Sequence, residues 1–447
     1  MFKKNAMALA AAAALSLPHE AGAQTQDDLR DLREQVKQLE KRVSDAEKAA
    51  IQASNRPAAE SALNPAVSLI LNGIYGNLSQ DPANFKINGF APTNGEVAPP
   101  NRGLSLGESE LAIAANIDHY FRGTGIFSIS SENEIAVEEA YIQTLALSHG
   151  FTIKAGRFFS AVGYQNQIHA HAWDFTDAPL ANKVFLGNQL SDDGIQLKWV
   201  APTPLYFDLG VEVGRGRNFP AGPDGGRNKN GFGSSNFFTT LGGDFGTGTA
   251  WQTSLSYLTT SPQDRTYDDV DSTGTPVTNS FSGTSKLWAL SGILKWAPNF
   301  NPTERNFKLQ GEYFRRRENG DLTFDAATPP ASTGPQTGGY ASTQSGWYLQ
   351  GVYQFVPLWR VGYRYDRLNA GTTNIGLVDS GALMAADFPI LAKYNPTRHT
   401  VMLDWSASEF SRVRLQYAQD KSRSDATDNQ VFLQYIVSLG AHGAHKF

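Results

Sequence analysis

His169 and His171, one residue apart and followed by Asp174, form the cluster in this sequence with ligand chemistry. Alternate residues of an extended segment share a face, so two imidazoles can converge on one zinc ion. His442 and His445 stand three apart near the chain end and would point to opposite faces of a strand, a poor pair. Loop histidines are common without metal, so no metal or other cofactor is assigned; His169 and His171 are kept as candidate ligands only. A second set consists of charges at even separations: Lys154, Lys198, Asp208, Glu212, Arg360, Arg364, Arg412 and Arg414. On a strand, even spacing puts side chains on one face, where they can set the field of an aqueous bore. Catalysis has less to work with. There is no cysteine, and no G-x-S-x-G motif stands beside a plausible histidine partner, so an enzyme is not expected. The formal charge is -5 with no clustered basic patch, which argues against a nucleic-acid partner.

The elements that must position these charges follow from changes of period along the chain. Lys3 and Lys4, a short apolar run and Ala21-Gly22-Ala23 read as a secretory signal peptide over 1–23. Residues 24–51 carry Leu29, Leu32, Val36, Leu39, Val43, Ala46 and Ala50 at alternating spacings of three and four, a heptad seam. Arg42 can reach Glu47 of a neighbour, and about four heptads are marginal alone, so self-association is expected. The seam does not separate dimer from trimer. Pro57 and Pro65 break the helix, and 52–65 reads as a linker.

From Ala66 to Phe447 the period is two. In "PLYFDLGVEVG" Leu205, Phe207, Leu209, Val211 and Val213 oppose Asp208 and Glu212. In "PLWRVGYRYD" Trp359, Val361, Tyr363 and Tyr365 oppose Arg360, Arg364 and Asp366. About sixteen such strands can be counted, within the range of membrane barrels, with parity unclear over 133–146. Trp199, Trp251, Trp288, Trp296, Trp347 and Trp405 lie on apolar faces, often near strand ends, as expected where a lipid-facing wall meets headgroups. Short joins such as "APTP" and "NFNPTE" alternate with long stretches at 80–101, 217–233, 261–284, 319–343 and 370–396, as in outer-membrane barrels. Mean hydropathy is only -0.35, which resembles a soluble protein and, counted by helices, argues against a membrane; the strand pattern carries the barrel reading instead. The expected fold is therefore all-β: a transmembrane antiparallel β-barrel over 66–447 preceded by a short coiled-coil helix. Its lipid-exposed edge must close, and the last strand, alternating from Val431 to Phe447, is the candidate to pair with the first.

One stretch carries a family resemblance. "EEAYIQTLALSHGFTIKAGRFFSAVG", with Ala140-Tyr141-Ile142, then Gly156-Arg157-Phe158 and Gly163, resembles the phosphate-selective porin (porin O/P) family. The following "HAHAWDFTDAPLANKVFLG" looks like that family's inward-folded loop, which would make His169, His171 and Asp174 constriction-loop residues. The resemblance implies a trimeric, passive outer-membrane channel for small hydrophilic solutes, its coiled coil in the periplasm. A chain ending on Phe447 likewise resembles the assembly signal read by the barrel-assembly machinery. No dense arginine ladder accompanies it, so phosphate as the solute does not follow. The basic residues of the last third, with Asp208 and Glu212 opposite, suggest a transverse field and an anion preference. The alternatives are a barrel for zinc uptake and a non-conducting tether. An energy-coupled receptor needs about twenty-two strands and a plug, too much for this length.

Overall fold

The computed structural model describes residues 65–440 except 94–96, 132–133 and 223–229. The signal peptide, the coiled coil, all but the last residue of the linker, His442, His445 and Phe447 lie outside the described residues. Among the described residues eighteen strands form one sheet. They are β1 (Ala66–Leu78), β2 (Gly103–Leu106), β3 (Ser109–Asn116), β4 (Phe121–Ile129), β5 (Ile135–Thr144) and β6 (Phe151–Phe159). Then come β7 (Ser191–Val200), β8 (Tyr206–Gly214), β9 (Ser234–Phe245), β10 (Thr249–Thr260), β11 (Arg265–Val270) and β12 (Pro276–Trp296). The last are β13 (Asn306–Phe324), β14 (Gln336–Val356), β15 (Trp359–Ile375), β16 (Thr397–Ser408), β17 (Ser411–Lys421) and β18 (Asp428–Gly440). The short β2 and β11 prolong the sheet beside β1 and β12, so the closed wall is sixteen antiparallel strands around. Closure is made by β1 against β18, from Ser68 opposite Gly440 to Leu78 opposite Gln430. This seam pairs the N–H and C=O groups of the first and last strands, as a lipid-facing wall requires. Among the described residues no helix is long and apolar enough to cross a membrane.

Alternation decides which face each residue takes. On β1, Ile70, Asn72 and Ile74 are buried within the barrel while Val67, Leu71 and Tyr75 are exposed outside. Exposed aromatics gather in two bands. Trp359 lies opposite Trp405 and Trp296 opposite Phe307 near the short turns, whereas Trp288 packs 4.5 Å from Tyr257 higher up. Trp288 and Trp296 are eight residues apart, about 26 Å along the strand at ~3.3 Å per residue, comparable to the apolar band of such barrels.

Two expectations need correction. The stretches 261–284 and 319–343 are mostly strand, because Arg265–Val270 and Pro276–Trp296 pair with each other and β12 pairs with β13 up to Ser280 opposite Thr323. Above the upper aromatics the outer residues are polar, Thr284, Lys286, Arg315 and Arg317 among them. The outer face there meets water, while the inner one, with Phe281, Leu322 and Phe324, is buried against Phe388 and Leu391, so the ladder continues although the lipid-facing half of the period-two signal disappears. The unclear parity over 133–146 has a cause as well. The register slips between Ile126 opposite Glu139 and Phe127 opposite Val137, leaving Glu138 as the extra residue of a β-bulge.

The long connections at the end away from the short turns are tied by carboxylates. Asp271 accepts the Ser332 hydroxyl (2.6 Å), the Thr273 hydroxyl (2.6 Å) and the amides of Thr273 and Thr275 (both 2.9 Å), which holds it well below the usual carboxylate range. Asp269, on β11, is pushed up to about 6 by burial, and the amides of Val270 and Ile390 only partly offset this. The signs are opposite. Asp271 contributes stability above the unfolded pKa near ~4 and loses it as pH falls further; ionising Asp269 costs stability progressively as pH rises from ~4 to its folded value. Amide exchange in 265–275 and 385–391 should therefore be slowest near pH ~4–5 and faster at pH ~7, once corrected for intrinsic rates. Asp269→Asn should remove the rise toward neutral pH; an unchanged profile would refute the assignment.

Candidate functional site

The inner face is organised around residues 160–190, which leave the wall after β6, fold into the barrel and rejoin it at β7. Most of this segment is buried. Besides two 3-10 turns it contains one short α-helix, α1 (Leu180–Leu186), packed with Phe314, Leu287, Leu368 and Phe90. A segment with so little regular structure cannot satisfy its own backbone, and the wall supplies the partners. Carboxylates take its amides: Glu212 from Ala161 (2.9 Å), Glu312 from Tyr164 (2.5 Å) and Asp366 from Leu180 (2.9 Å), while Glu139 takes that of Phe159 (3.1 Å), the last residue of β6. Arginines donate to its carbonyls: Arg412 to His171 (2.5 Å), Arg414 to Trp173 (2.9 Å) and Arg364 to Asp177 (2.8 Å).

The charges singled out by spacing therefore take distinct places. Glu212 also accepts the Ser160 hydroxyl (2.5 Å) and the amides of Gln196 and Asn236, so it anchors the start of the segment. Asp208, buried on the same strand, accepts the Tyr206 hydroxyl at 2.7 Å. Lys154 lies 4.6 Å over the Tyr141 ring, and Lys198 is half-buried on the inner-facing side of β7 with Gln196. Arg360 bridges Asp174 (3.1 Å) and Asp404. Arg364 holds Asp366 at 3.0 Å and Asp177 at 3.1 Å, and Arg414 holds Asp404 at 2.7 Å. Lys308 reaches Asp174 at 2.9 Å. Around the ring β8 lies eight strands from β17 and six from β15, so Asp208 and Glu212 stand across the bore from the arginines. The arginines are interleaved with carboxylates rather than forming an unmixed basic wall.

Exposure separates these charges. Side chains of Lys308, Arg360 and Arg412 are 21%, 23% and 18% exposed, whereas Asp174 and Asp404 are 8% and 0% exposed. The cations meet water more than their partners do.

The histidines meet three carboxylates. His169 Nδ1 is 3.1 Å from both Glu110 and Glu138, His169 Nε2 is 3.1 Å from Glu139, and His171 Nδ1 is 3.2 Å from Glu110. The two rings stack at 5.8 Å. Sequence reading missed Glu138 and Glu139 because a bulge has no period. It missed Asp177 too, though Asp177 repeats the acidic type of Asp174 three residues on. Arg398, which pairs with Asp177 and with Asp420 (3.4 Å), had a signal: it stands six residues before Asp404 on the same strand, and so in phase with it. Gly103-Leu104-Ser105-Leu106-Gly107 matches G-x-S-x-G but forms strand β2 and its exit, not the strand-to-helix elbow of a nucleophile.

Fold and inner face together define a porin-like, outer-membrane-type β-barrel with an inserted segment. Among solved structures, the trimer form of OmpT, an outer membrane protein of Vibrio cholerae, superposes with a TM-score of 0.50 and 11% identity, covering 84% of this chain and 99% of that one. The outer membrane channel DcaP of Acinetobacter baumannii gives 0.49 and 13% identity, covering 84% and 97%. No family model matches the chain. An uncharacterized protein of Aquifex aeolicus is 30% identical over 369 residues, spanning 77% of this chain and 70% of that protein. The chain belongs to the same family as that Aquifex aeolicus protein.

Proposed function

We propose that the protein is a passive channel of the bacterial outer membrane for small hydrophilic solutes, with a preference for anions. The observation that carries this reading is the unequal exposure inside the barrel: Lys308, Arg360 and Arg412 reach water while Asp174 and Asp404 are covered. Water-exposed charge sets the field felt by a passing ion; buried, paired charge contributes less. Lys154, Lys198, Asp208, Glu212, Arg364 and Arg414 then act as lining and positioning residues, and His169, His171 and Asp174 as part of the constricting segment.

The oligomer is a homotrimer in this reading. Strands β3 to β6 have only 8 to 10 residues, whereas β12 to β15 have 17 to 21. A strand needs about 9–11 residues to cross the hydrocarbon, so the low side of the wall gains most from a partner. Periplasmic coiled coils over 24–51 would hold such protomers together, and Phe447 would engage the barrel-assembly machinery. Kinship with phosphate-selective porins rests on Ala140, Tyr141, Ile142, Gly156, Arg157, Phe158 and Gly163 and extends to the barrel, not to phosphate. Purified protein in planar bilayers should give stepwise conductance, with a reversal potential in a salt gradient displaced toward that of the anion. Absence of conductance from folded protein would overturn the channel, and displacement toward the cation would overturn the preference.

A further inference from the structure

We infer that Glu110, Glu138, His169 and His171 form a binding site for a divalent transition-metal ion such as zinc. Three independent features of the geometry meet here. The first is donor spacing. Ligands on a tetrahedral zinc, with bonds of about 2.0–2.1 Å, lie about 3.3 Å apart. His169 Nδ1 lies 3.1 Å from both Glu110 Oε2 and Glu138 Oε2, and His171 Nδ1 lies 3.2 Å from Glu110 Oε2. Donor atoms of Glu110, Glu138 and His169 all fall within 4.8 Å of one another.

The second feature is the outer shell. Glu139 Oε2 lies 3.1 Å from His169 Nε2, on the side of the ring away from the other carboxylates, and Glu139 Oε1 is itself held by the Phe159 amide at 3.1 Å. A carboxylate accepting the Nε2 proton leaves the Nδ1 lone pair for a metal, the arrangement that fixes the tautomer of metal-bound histidine. The third is the bulge at Glu138, which turns two consecutive glutamates toward the same histidine where regular alternation would send one outward. Bulges re-aim side chains at working sites. Charge favours the same conclusion. Three mostly buried carboxylates meet two imidazoles and, near Glu139, the Lys154 cation; with neutral rings, as metal ligation requires, the set stays negative and a divalent ion offsets it.

The ion would join β3 and β5 of the wall to the inserted segment. The site stands whether or not the barrel conducts, because titration reads the metal alone. Chelator-treated, detergent-solubilised full-length protein, titrated calorimetrically with zinc, should bind about one equivalent per chain. His171→Ala and Glu138→Gln should each weaken binding by at least tenfold, and Glu139→Gln by about 10–100-fold through the outer shell. His399→Ala, whose imidazole sits outside the barrel against the Tyr363 hydroxyl (2.8 Å), should change nothing. Cobalt(II) in place of zinc should show the intense visible absorption of a tetrahedral site, lost in Glu138→Gln. Absence of saturable binding to folded wild type would overturn the site. So would undiminished binding in the folded His169→Ala, His171→Ala double variant, or in Glu138→Gln.

Discussion

Asp177→Ala is expected to free the inserted segment from the far wall and raise the conductance of the proposed channel. Asp177 is the point where the most cations converge on that segment: Arg364 at 3.1 Å, Arg398, and Lys183 at 3.5 Å, with the Gln416 amide at 3.1 Å. Arg364 and Arg398 are each 1% exposed, so neither can turn to water when the carboxylate goes. Removing one partner of a buried pair typically costs about 3–5 kcal/mol. Arg364 keeps Asp366 and Arg398 keeps Asp420, which places the cost toward the lower figure. The sixteen-strand wall is built from backbone ladders that do not use Asp177, so the barrel should still fold and resist heating in detergent as wild type does. The segment should become cleavable by protease within 160–190, and single-channel records should show larger, noisier openings. Wild-type conductance together with wild-type protection would mean that ion pairing does not hold the segment.

The second large effect concerns selectivity. Replacing Lys308, Arg360 and Arg412 together by Gln should move the reversal potential in a salt gradient toward that of the cation, with an anion-to-cation permeability ratio lower by roughly tenfold. A unit charge at 4 Å is worth about 1 kcal/mol even in bulk water, and screening by salt reduces the summed effect of three to something of that order. Arg364→Gln and Arg414→Gln provide the contrast. Both side chains are 1% exposed and face Asp366 and Asp404, so these changes should loosen the segment and barely move the reversal potential. Equal shifts from the two sets would dismiss the distinction between wetted and buried cations.

These results separate what local pattern can reveal from what it cannot. The wall was legible because lipid outside and water inside impose opposite requirements on neighbouring residues, as at Val67 and Ser68 or Tyr363 and Arg364. Where lipid ends, as at Lys286 and Arg317, the requirement ends and strands look like loops. The inner charges are legible by phase, and Arg398 shares the phase of Asp404 on β16. The pairing of Glu212 with Ala161 or Arg414 with Trp173 had no signal at all, since a backbone N–H or C=O carries no residue identity. Glu138 was hidden for the opposite reason: a bulge breaks the very rhythm by which inward residues are recognised.

The hydrogen bonds that seat 160–190 also impose an order of events. Arg414 meets Trp173, and Gln416 meets Asp177, across more than 230 residues of chain. Those partners stand on β17, so the segment cannot be fully seated before that late strand is in place. Its first residues, held by Glu212 from β8, need no such wait, so the two ends of the segment depend on opposite ends of the chain.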